Sequence, residues 1–279
     1  MSQIKECFIS RFPGGVIMEA DFSQLEVIGL AALSMDPALI EDLLSGRDMH
    51  TYFAAQLFGV PESEVTYHQR KITKRFTFAL QYGSGAGGLA KKNGTTVDVA
   101  AKFISMYYGR YSGVKKWQDD NVQQVKYSRT STGEATPAGH NKGKGHLVSA
   151  TGRVYVFFEQ DAKQGFRDQT PSFNPPDIKN YPVQGFATGD VMAIYRGVVM
   201  RRMLAEGLLR VALPINTVHD SVMFDLPSVE VAHKLRSLLV QAAADLAGII
   251  EETWGLYMPV PFKIETSIGP TWGQQEKMK

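Results

Sequence analysis

The feature that most constrains this chain is a four-residue spacing inside QRKITKRFTFALQYG, Gln69 to Gly83. Arg70, Lys74, Phe78 and Tyr82 recur at every fourth position. On an α-helix that spacing lines them along one face, drifting by only about 40° per step. Two cations therefore share a side with two aromatic rings. A helix that only covers a core places apolar residues on such a stripe and turns its cations away. Cations so placed suit the oxygens of a triphosphate, Arg as a planar fork and Lys as a point charge, while the rings suit a flat base. An amphipathic surface helix with long, snorkelling side chains has the same spacing, so the stripe alone allows both readings.

The rest of the chain must supply a fold to carry that helix. With 279 residues and 44% hydrophobic content it can bury the core of one large or two modest domains. The formal net charge is only +2, so any nucleic-acid contact has to come from local basic patches. Cys7 is the single cysteine, which excludes an intrachain disulfide and leads us to expect a quiet buried thiol in a reducing compartment. No apolar run reaches the length of a membrane span, and MSQIKECFIS lacks the apolar centre of a signal peptide. We therefore expect an intracellular, cytoplasmic protein with no membrane partner.

Near the start, CFISRFPGGVIMEADF reads as a strand, a Pro-Gly-Gly turn and a second strand, Val16 to Ala20, which runs into a helix after Asp21. Taken alone, Asp21 reads as a helix cap or turn residue. Glu26 lies inside an apolar segment, so it either faces water or has a polar partner. Residues 36–64 read as two short helices punctuated by Gly46, Gly59 and Pro61, and His50 at the start of the second reads by itself as structural. After Tyr82, the run GSGAGG satisfies G-x-G-x-x-G, but that dinucleotide fingerprint must follow a strand and here it follows a helix. A helix cap and flexible turn fit better.

Residues 96–127 fit one long helix, or two joined near Gly109 to Gly113. Residues 128–146, rich in Gly, Ser, Thr and Lys, read as an exposed mobile loop, either simply solvated, which fits better, or touching phosphates through Lys142 and Lys144. A hairpin turning at Thr151-Gly152 follows. Asn180 to Gln184 opens a helix that continues through Met203. Ile215 to Val218 and Val222 to Leu226 are apolar strands flanking His219-Asp220-Ser221, a hairpin with a histidine and a carboxylate at its tip. A helix from Val229 to about Ile249 and a closing strand, VPFKIETSIG, complete the chain.

Several of these segments together resemble the A-family DNA polymerases. Asp21-Phe-Ser-Gln-Leu-Glu26 is similar to the family's first palm motif, DYSQIE. Arg70, Lys74, Phe78 and Tyr82-Gly83 match its fingers-helix motif, RxxxKxxxFxxxYG, and Val218-His219-Asp220 resembles its VHDE hairpin. The three occur in the family's order. GRDMHTYFAAQLFGV, the TGR at Gly152, NYPVQG and the terminal G-x-x-W at Gly269 to Trp272 extend the resemblance over nearly the whole chain.

The resemblance implies an α/β fold of the α+β type. Residues 1–40 and 165–279 would form an antiparallel palm sheet backed by helices, and residues 41–164 an inserted helical fingers subdomain. It implies template-directed DNA synthesis by a two-metal mechanism, with primer-template DNA and dNTPs as partners. Asp21, the Phe22 carbonyl and Asp220 would hold two Mg²⁺ ions, or Mn²⁺, for which hard oxygen ligands are suited. Lys74 would be the proton donor to pyrophosphate. His50 and Arg70 would grip the phosphates, Phe78 and Tyr82 would pack on the nucleotide and template base, and Gln24 would contact the substrate. Glu26 would be the steric gate against a 2′-hydroxyl. Asn180, Gln184 and His219 would lie near the primer terminus and minor groove.

Three departures from the family matter. Ser221 stands where the family has a second hairpin acid, Ile28 stands where an arginine usually follows the gate, and nothing like the family's thumb precedes the first palm strand. The last suggests a split polymerase completed by a second polypeptide; a truncated polymerase and a catalytically incompetent DNA-binding subunit are the competing accounts. Outside the family, a single-subunit RNA polymerase shares the palm and basic-aromatic helix, but Glu26 favours deoxynucleotides. A metal phosphohydrolase built on His219-Asp220 would need further helical His and Asp ligands.

Overall fold

The structure, a computed structural model, describes residues 3–81, 83–162 and 170–278. In chain order its elements begin with α1 (Gln3–Glu6), β1 (Val16–Phe22), α2 (Leu25–Ser34), α3 (Pro37–Ser45), α4 (Met49–Phe58), α5 (Tyr67–Gln81) and α6 (Ala86–Asn93). There follow α7 (Val97–Arg110), α8 (Ser112–Tyr127), β2 (Thr130–Ala135), β3 (Asn141–Val148), β4 (Val154–Phe158) and α9 (Pro175–Gln184). A π-helical stretch (Gly185–Val191) leads into α10 (Met192–Ala205), β5 (Leu213–Val218), β6 (Ser221–Leu226), α11 (Val229–Trp254), β7 (Ile264–Thr271) and β8 (Gln274–Lys277). Two compact units divide the chain, residues 1–29 with 185–279, and residues 30–184. Both divisions fall away from the expected 40/41 and 164/165. No helix among the described residues is long and apolar enough to cross a membrane.

The first unit is built on a five-stranded antiparallel sheet in the order β5-β6-β1-β7-β8. β1 takes the centre because its alternation suits a half-covered sheet: Met18, Ala20 and Phe22 are buried on one face, and Glu19 and Asp21 lie on the other. Phe22 packs edge-on against Tyr195 and Phe262, with ring centroids 4.7 and 6.0 Å away. The Tyr195 hydroxyl donates to the Leu239 carbonyl at 3.2 Å and so ties α10 to α11. α11 buries Leu235, Leu239, Ala242, Leu246 and Ile250, a helical stripe in which each large apolar side chain contributes roughly 1.5–3 kcal/mol. Ser228 caps its start, and Gly255, at φ 66°, ends it.

The expected strand over residues 7–10 does not form. Both edges of β1 are already taken by β6 and β7, so this segment lies against the β7–β8 turn instead. The Trp272 backbone amide donates to the Phe8 carbonyl, and the Lys5 ammonium sits 4.1 Å from the Trp272 ring centroid. Ile9 makes an isolated bridge to Thr271. Cys7 consequently has no core to enter and is exposed, contrary to expectation. The glycine of G-x-x-W is sterically required, since a Cβ on Gly269 would meet the Gln274 carbonyl oxygen at 1.6 Å.

The second unit is mainly helical. Phe53, Phe76, Phe103, Tyr107 and Tyr111 form its aromatic core, with centroids 5.0–5.7 Å apart in the closest pairs. Two buried aspartates organise the helix ends around it. Asp36 caps α3 through the Leu39 amide and also accepts the Gly113 and Val114 amides at 2.7 and 3.2 Å, so one carboxylate caps α8 as well. That second cap is why residues 96–127 form two helices. Asp42 accepts a two-pronged hydrogen bond from Arg110, at 2.6 and 2.7 Å, and one from the Tyr111 hydroxyl at 2.7 Å.

Residues 128–146 are a correction. They form β2 and most of β3, which join β4 in a three-stranded antiparallel sheet. Their glycine content reflects close packing, because a Cβ on Gly145 would lie 2.1 Å from the Val125 carbonyl of α8. Arg129 binds both oxygens of Glu159, at 2.7 and 2.8 Å. Leu147 and Phe157 enter a core with Val122, Val125, Phe173 and Ile178. The expected turn at Thr151-Gly152 does link β3 to β4, with Gly152 at φ 81°.

Candidate active site

In the first unit the strand register brings two carboxylates together. Asp21, near the end of β1, pairs directly with Ser221 of β6. Val218 pairs with Ser221 across the β5–β6 hairpin, so His219 and Asp220 are its two turn residues. His219 adopts φ 53°, a left-handed conformation that costs a non-glycine residue on the order of 1 kcal/mol and is often kept where function needs it. The Phe22 amide donates to the Asp220 carbonyl at 3.2 Å and pins the hairpin tip beside Asp21. The two carboxyls are near enough for Asp220 to act on Asp21. Burial first, then the charges of Asp220 and Glu19, the Asp220 hydrogen bond and the charge of Glu265, push the Asp21 carboxyl up to about 6.

This donor set fits a hard divalent cation. Two adjoining carboxylates repel one another until a cation neutralises them, and Mg²⁺ takes one or two carboxylates while keeping several waters. Among the described residues no three His, Cys, Asp or Glu side chains gather closely enough to hold a metal by themselves. Any such ion would therefore rest on Asp21 and Asp220 plus backbone or substrate oxygens, and Phe22 is the adjoining backbone.

Nearby in sequence, Gln24 is exposed and also left-handed, at φ 57°. Glu26 sits partly buried in the first turn of α2. Ile28, in place of the family's arginine, is 4% exposed and belongs to the core.

In the second unit α5 separates its two faces as the sequence requires. Thr73, Phe76, Thr77 and Leu80 are buried, while Arg70, Lys74 and Phe78 keep exposed surface. The Lys74 ammonium lies 5.7 Å from the Phe78 ring centroid. Tyr82 lies outside the described residues. Arg70 Nε donates to Asp48 Oδ2 at 2.6 Å, and Asp48 also caps α4 through the His50 amide at 3.1 Å. Burial works against ionisation of Asp48, but the Arg70 and Thr51 hydrogen bonds and the Arg70 charge hold its carboxyl down at about 2.

His50 lies with its ring centroid 6.0 Å from that of Phe78, and among the described residues its buried Nδ1 has no hydrogen-bond partner. Burial pushes the imidazole down to about 4; Asp48 opposes this, and the Arg70 and Lys74 charges reinforce it. It is neutral at pH 7 and offers a hydrogen bond, not a charge.

Asn180 and Gln184 face one another on α9, Nδ2 to Oε1 at 3.2 Å, and the buried Asn180 Oδ1 has no partner among the described residues. Pro182 lies inside this helix and the π-helical stretch follows it. Such wide turns recur at functional sites.

The structure adds groups that sequence reasoning missed. Glu19 and Glu265 are close enough to Asp21 for their charges to raise its carboxyl, and Asp48 is the anchor of Arg70. Glu19 was discoverable, since it precedes Asp21 by two positions on a strand and must share its face. Glu265 and Asp48 depend on register and helix packing that no local pattern encodes.

With the geometry established, comparison with known proteins is specific. A family model described as DNA polymerase family A matches residues 1–274. DNA polymerase I of Geobacillus stearothermophilus is 30% identical over 270 residues, covering 97% of this chain and 27% of that protein. The DNA polymerase of Bacillus phage SP01 is 30% identical over 281 residues, with the same two shares. The chain thus spans about a quarter of the length of these curated relatives. The solved POL domain of Pol1 from M. smegmatis, in complex with DNA primer-template and dNTP, is similar in fold. Its TM-score is 0.69 at 24% identity, over 97% of this chain and 42% of that one.

Proposed function

The chain belongs to DNA polymerase family A, and we propose that it carries out template-directed addition of deoxynucleotides to a primer 3′-hydroxyl. The observation that carries this reading is the Asp21–Asp220 pair, two carboxylates set side by side by strand register and by the Phe22 amide. In it the first unit is the catalytic palm and the second the nucleotide-binding fingers. Two Mg²⁺ ions, or Mn²⁺, would when bound supply the Lewis acidity that activates the primer hydroxyl and stabilises the leaving pyrophosphate.

The chain's own residues divide the remaining work. Asp21 and Asp220 hold the cations, with the Phe22 carbonyl as a further oxygen. Lys74, whose side chain is exposed, binds the triphosphate and gives a proton to the departing pyrophosphate. Arg70 presents to phosphate the guanidinium nitrogens that Asp48 leaves open. His50, neutral, donates one hydrogen bond. Phe78 and Tyr82 pack on the incoming nucleotide and template base, Gln24 contacts the substrate, and Glu26 excludes a 2′-hydroxyl. Asn180, Gln184 and His219 serve the primer terminus and minor groove of primer-template DNA.

Primer extension by the 279-residue chain, with Mg²⁺ and either dNTPs or rNTPs, tests this. The expected result is dNTP extension that disappears in Asp220→Ala and loses its sugar discrimination in Glu26→Ala. Equal use of rNTPs would instead favour an RNA polymerase relative. A folded chain that binds primer-template without extending it would turn the search to a second polypeptide that completes the site, or to a purely DNA-binding role.

A further inference from the structure

The side of β1 that carries Asp21 holds one further carboxylate to which the proposed reaction gives no role. Glu19 stands two residues before Asp21 and therefore on the same face of the sheet. Ser221, directly opposite Asp21, has its hydroxyl 3.2 Å from Glu19 Oε1, the single proton being shared between that oxygen and the Val218 carbonyl at 3.1 Å. Neighbouring carboxylates on this face are each matched by a cation. Asp225 binds Arg11 and Ser10, and Glu265 binds Lys277. Among the described residues Glu19 has no ion-pair partner; its one polar contact is the serine hydroxyl. A partly buried carboxylate in mid-strand is poorly suited to a β-sheet and costly without a counter-charge. The bland reading, a glutamate on the polar side of a strand, does not explain why this one, like Asp21 and Asp220 and unlike Asp225 and Glu265, is left uncompensated among the described residues.

We propose that Glu19 is a positioning residue of the cation site, a third negative charge tethered by Ser221 that strengthens divalent-cation binding to the Asp21–Asp220 pair. The inference rests on the polymerase reading of that pair. Glu19 is not gathered closely enough with Asp21 and Asp220 to count as a third direct ligand, so it acts through the coordinated waters that Mg²⁺ and Mn²⁺ retain. Ser221 fixes the carboxylate's rotamer, and a serine that departs from the family's acid at this position becomes half of a two-residue replacement for it.

The test is Mn²⁺ binding to the full chain, followed by the electron paramagnetic resonance signal of free Mn²⁺, which needs no catalysis. Glu19→Gln keeps the shape and removes the charge. It should weaken Mn²⁺ binding by about tenfold, the size expected of an outer-shell partner. Ser221→Ala should weaken it a few-fold, and the exchange variant Glu19→Gln/Ser221→Glu should regain affinity. Thermal unfolding without metal checks that each variant is folded. Unchanged Mn²⁺ affinity in Glu19→Gln, alongside a loss in Asp220→Asn, would overturn the inference and leave the polymerase reading intact. Unchanged affinity in Asp220→Asn would remove both.

Discussion

Arg70 and Asp48, joined at 2.6 Å, link α5 to the cap of α4, the helix before it. Through that link one carboxylate holds an arginine, caps the start of a helix and partly offsets the cationic field around His50. Asp48→Ala should therefore cost about 1 kcal/mol of stability as a lost cap. It should also lower the His50 imidazole still further, since the only charge that raises it is gone. Proton NMR of the histidine ring signals reads both forms: wild-type His50 should titrate at about 4, and the variant lower. A His50 that titrates near its ordinary 6.5 would contradict the buried environment described above.

Asp42 and Arg110 form the most committed ion pair of the second unit. The Asp42 side chain is 2% exposed, and removing its partner leaves a nearly uncompensated buried charge. Arg110→Ala should destabilise the chain by about 3–5 kcal/mol in urea unfolding. Burial alone would raise the Asp42 carboxyl, but Arg110, Tyr111 and Arg47 together hold it below its ordinary value. Its contribution is thus present above the ordinary carboxylate pKa and is lost as pH falls through the lower folded value. A wild-type acid transition that Arg110→Ala leaves unmoved would refute the assignment.

Asp21 runs the other way. Its folded carboxyl is raised from 3.8 to about 6, so its stabilising contribution is present below 3.8 and disappears as pH rises through about 6. At pH 8 the metal-free Asp21→Asn chain should be more stable than wild type, by about 1 kcal/mol after discounting for solvent screening. Mn²⁺ binding should weaken as pH drops below about 6, where a proton competes for the same oxygens. Urea titrations at pH 5 and 8 and Mn²⁺ titrations over that range supply the comparison.

The legible parts of this molecule were those written in short periods. The stripe Arg70, Lys74, Phe78 is visible because helical spacing is local, and the buried row Thr73, Phe76, Thr77, Leu80 confirms which side faces inward. Asp21 and Asp220 could be placed at strand ends because strand alternation stops there. What failed was composition used as a proxy for packing. Gly143 and Gly145 looked like loop residues, yet they let β3 lie against Arg129 and Val125. Residues 7–10 looked like a strand, yet both neighbours of β1 come from the far end of the chain. Asp36 capping two helices 77 residues apart has no sequence signature at all.

The same close approach supports a stability prediction. Gly145→Ala drives a methyl into the Val125 carbonyl and should cost about 1–3 kcal/mol. Lys144→Ala, one position away on the exposed face, should stay within about 0.5 kcal/mol of wild type. Comparable losses in both would mean that β3 does not pack on α8 as described.

The central position of β1 also sets a timetable. Its partners are Leu226 for Val16 and Gly269 for Ile17, so the strand leaves the ribosome well before anything it can pair with. At typical elongation of about 5–20 residues per second, β1 waits on the order of ten to forty seconds for β6. The contiguous second unit, residues 30–184, has all of its partners in hand during that interval. Synthesis therefore builds α5 before the carboxylate pair exists, and an orphaned apolar strand must be kept from other chains until β6 and β7 arrive.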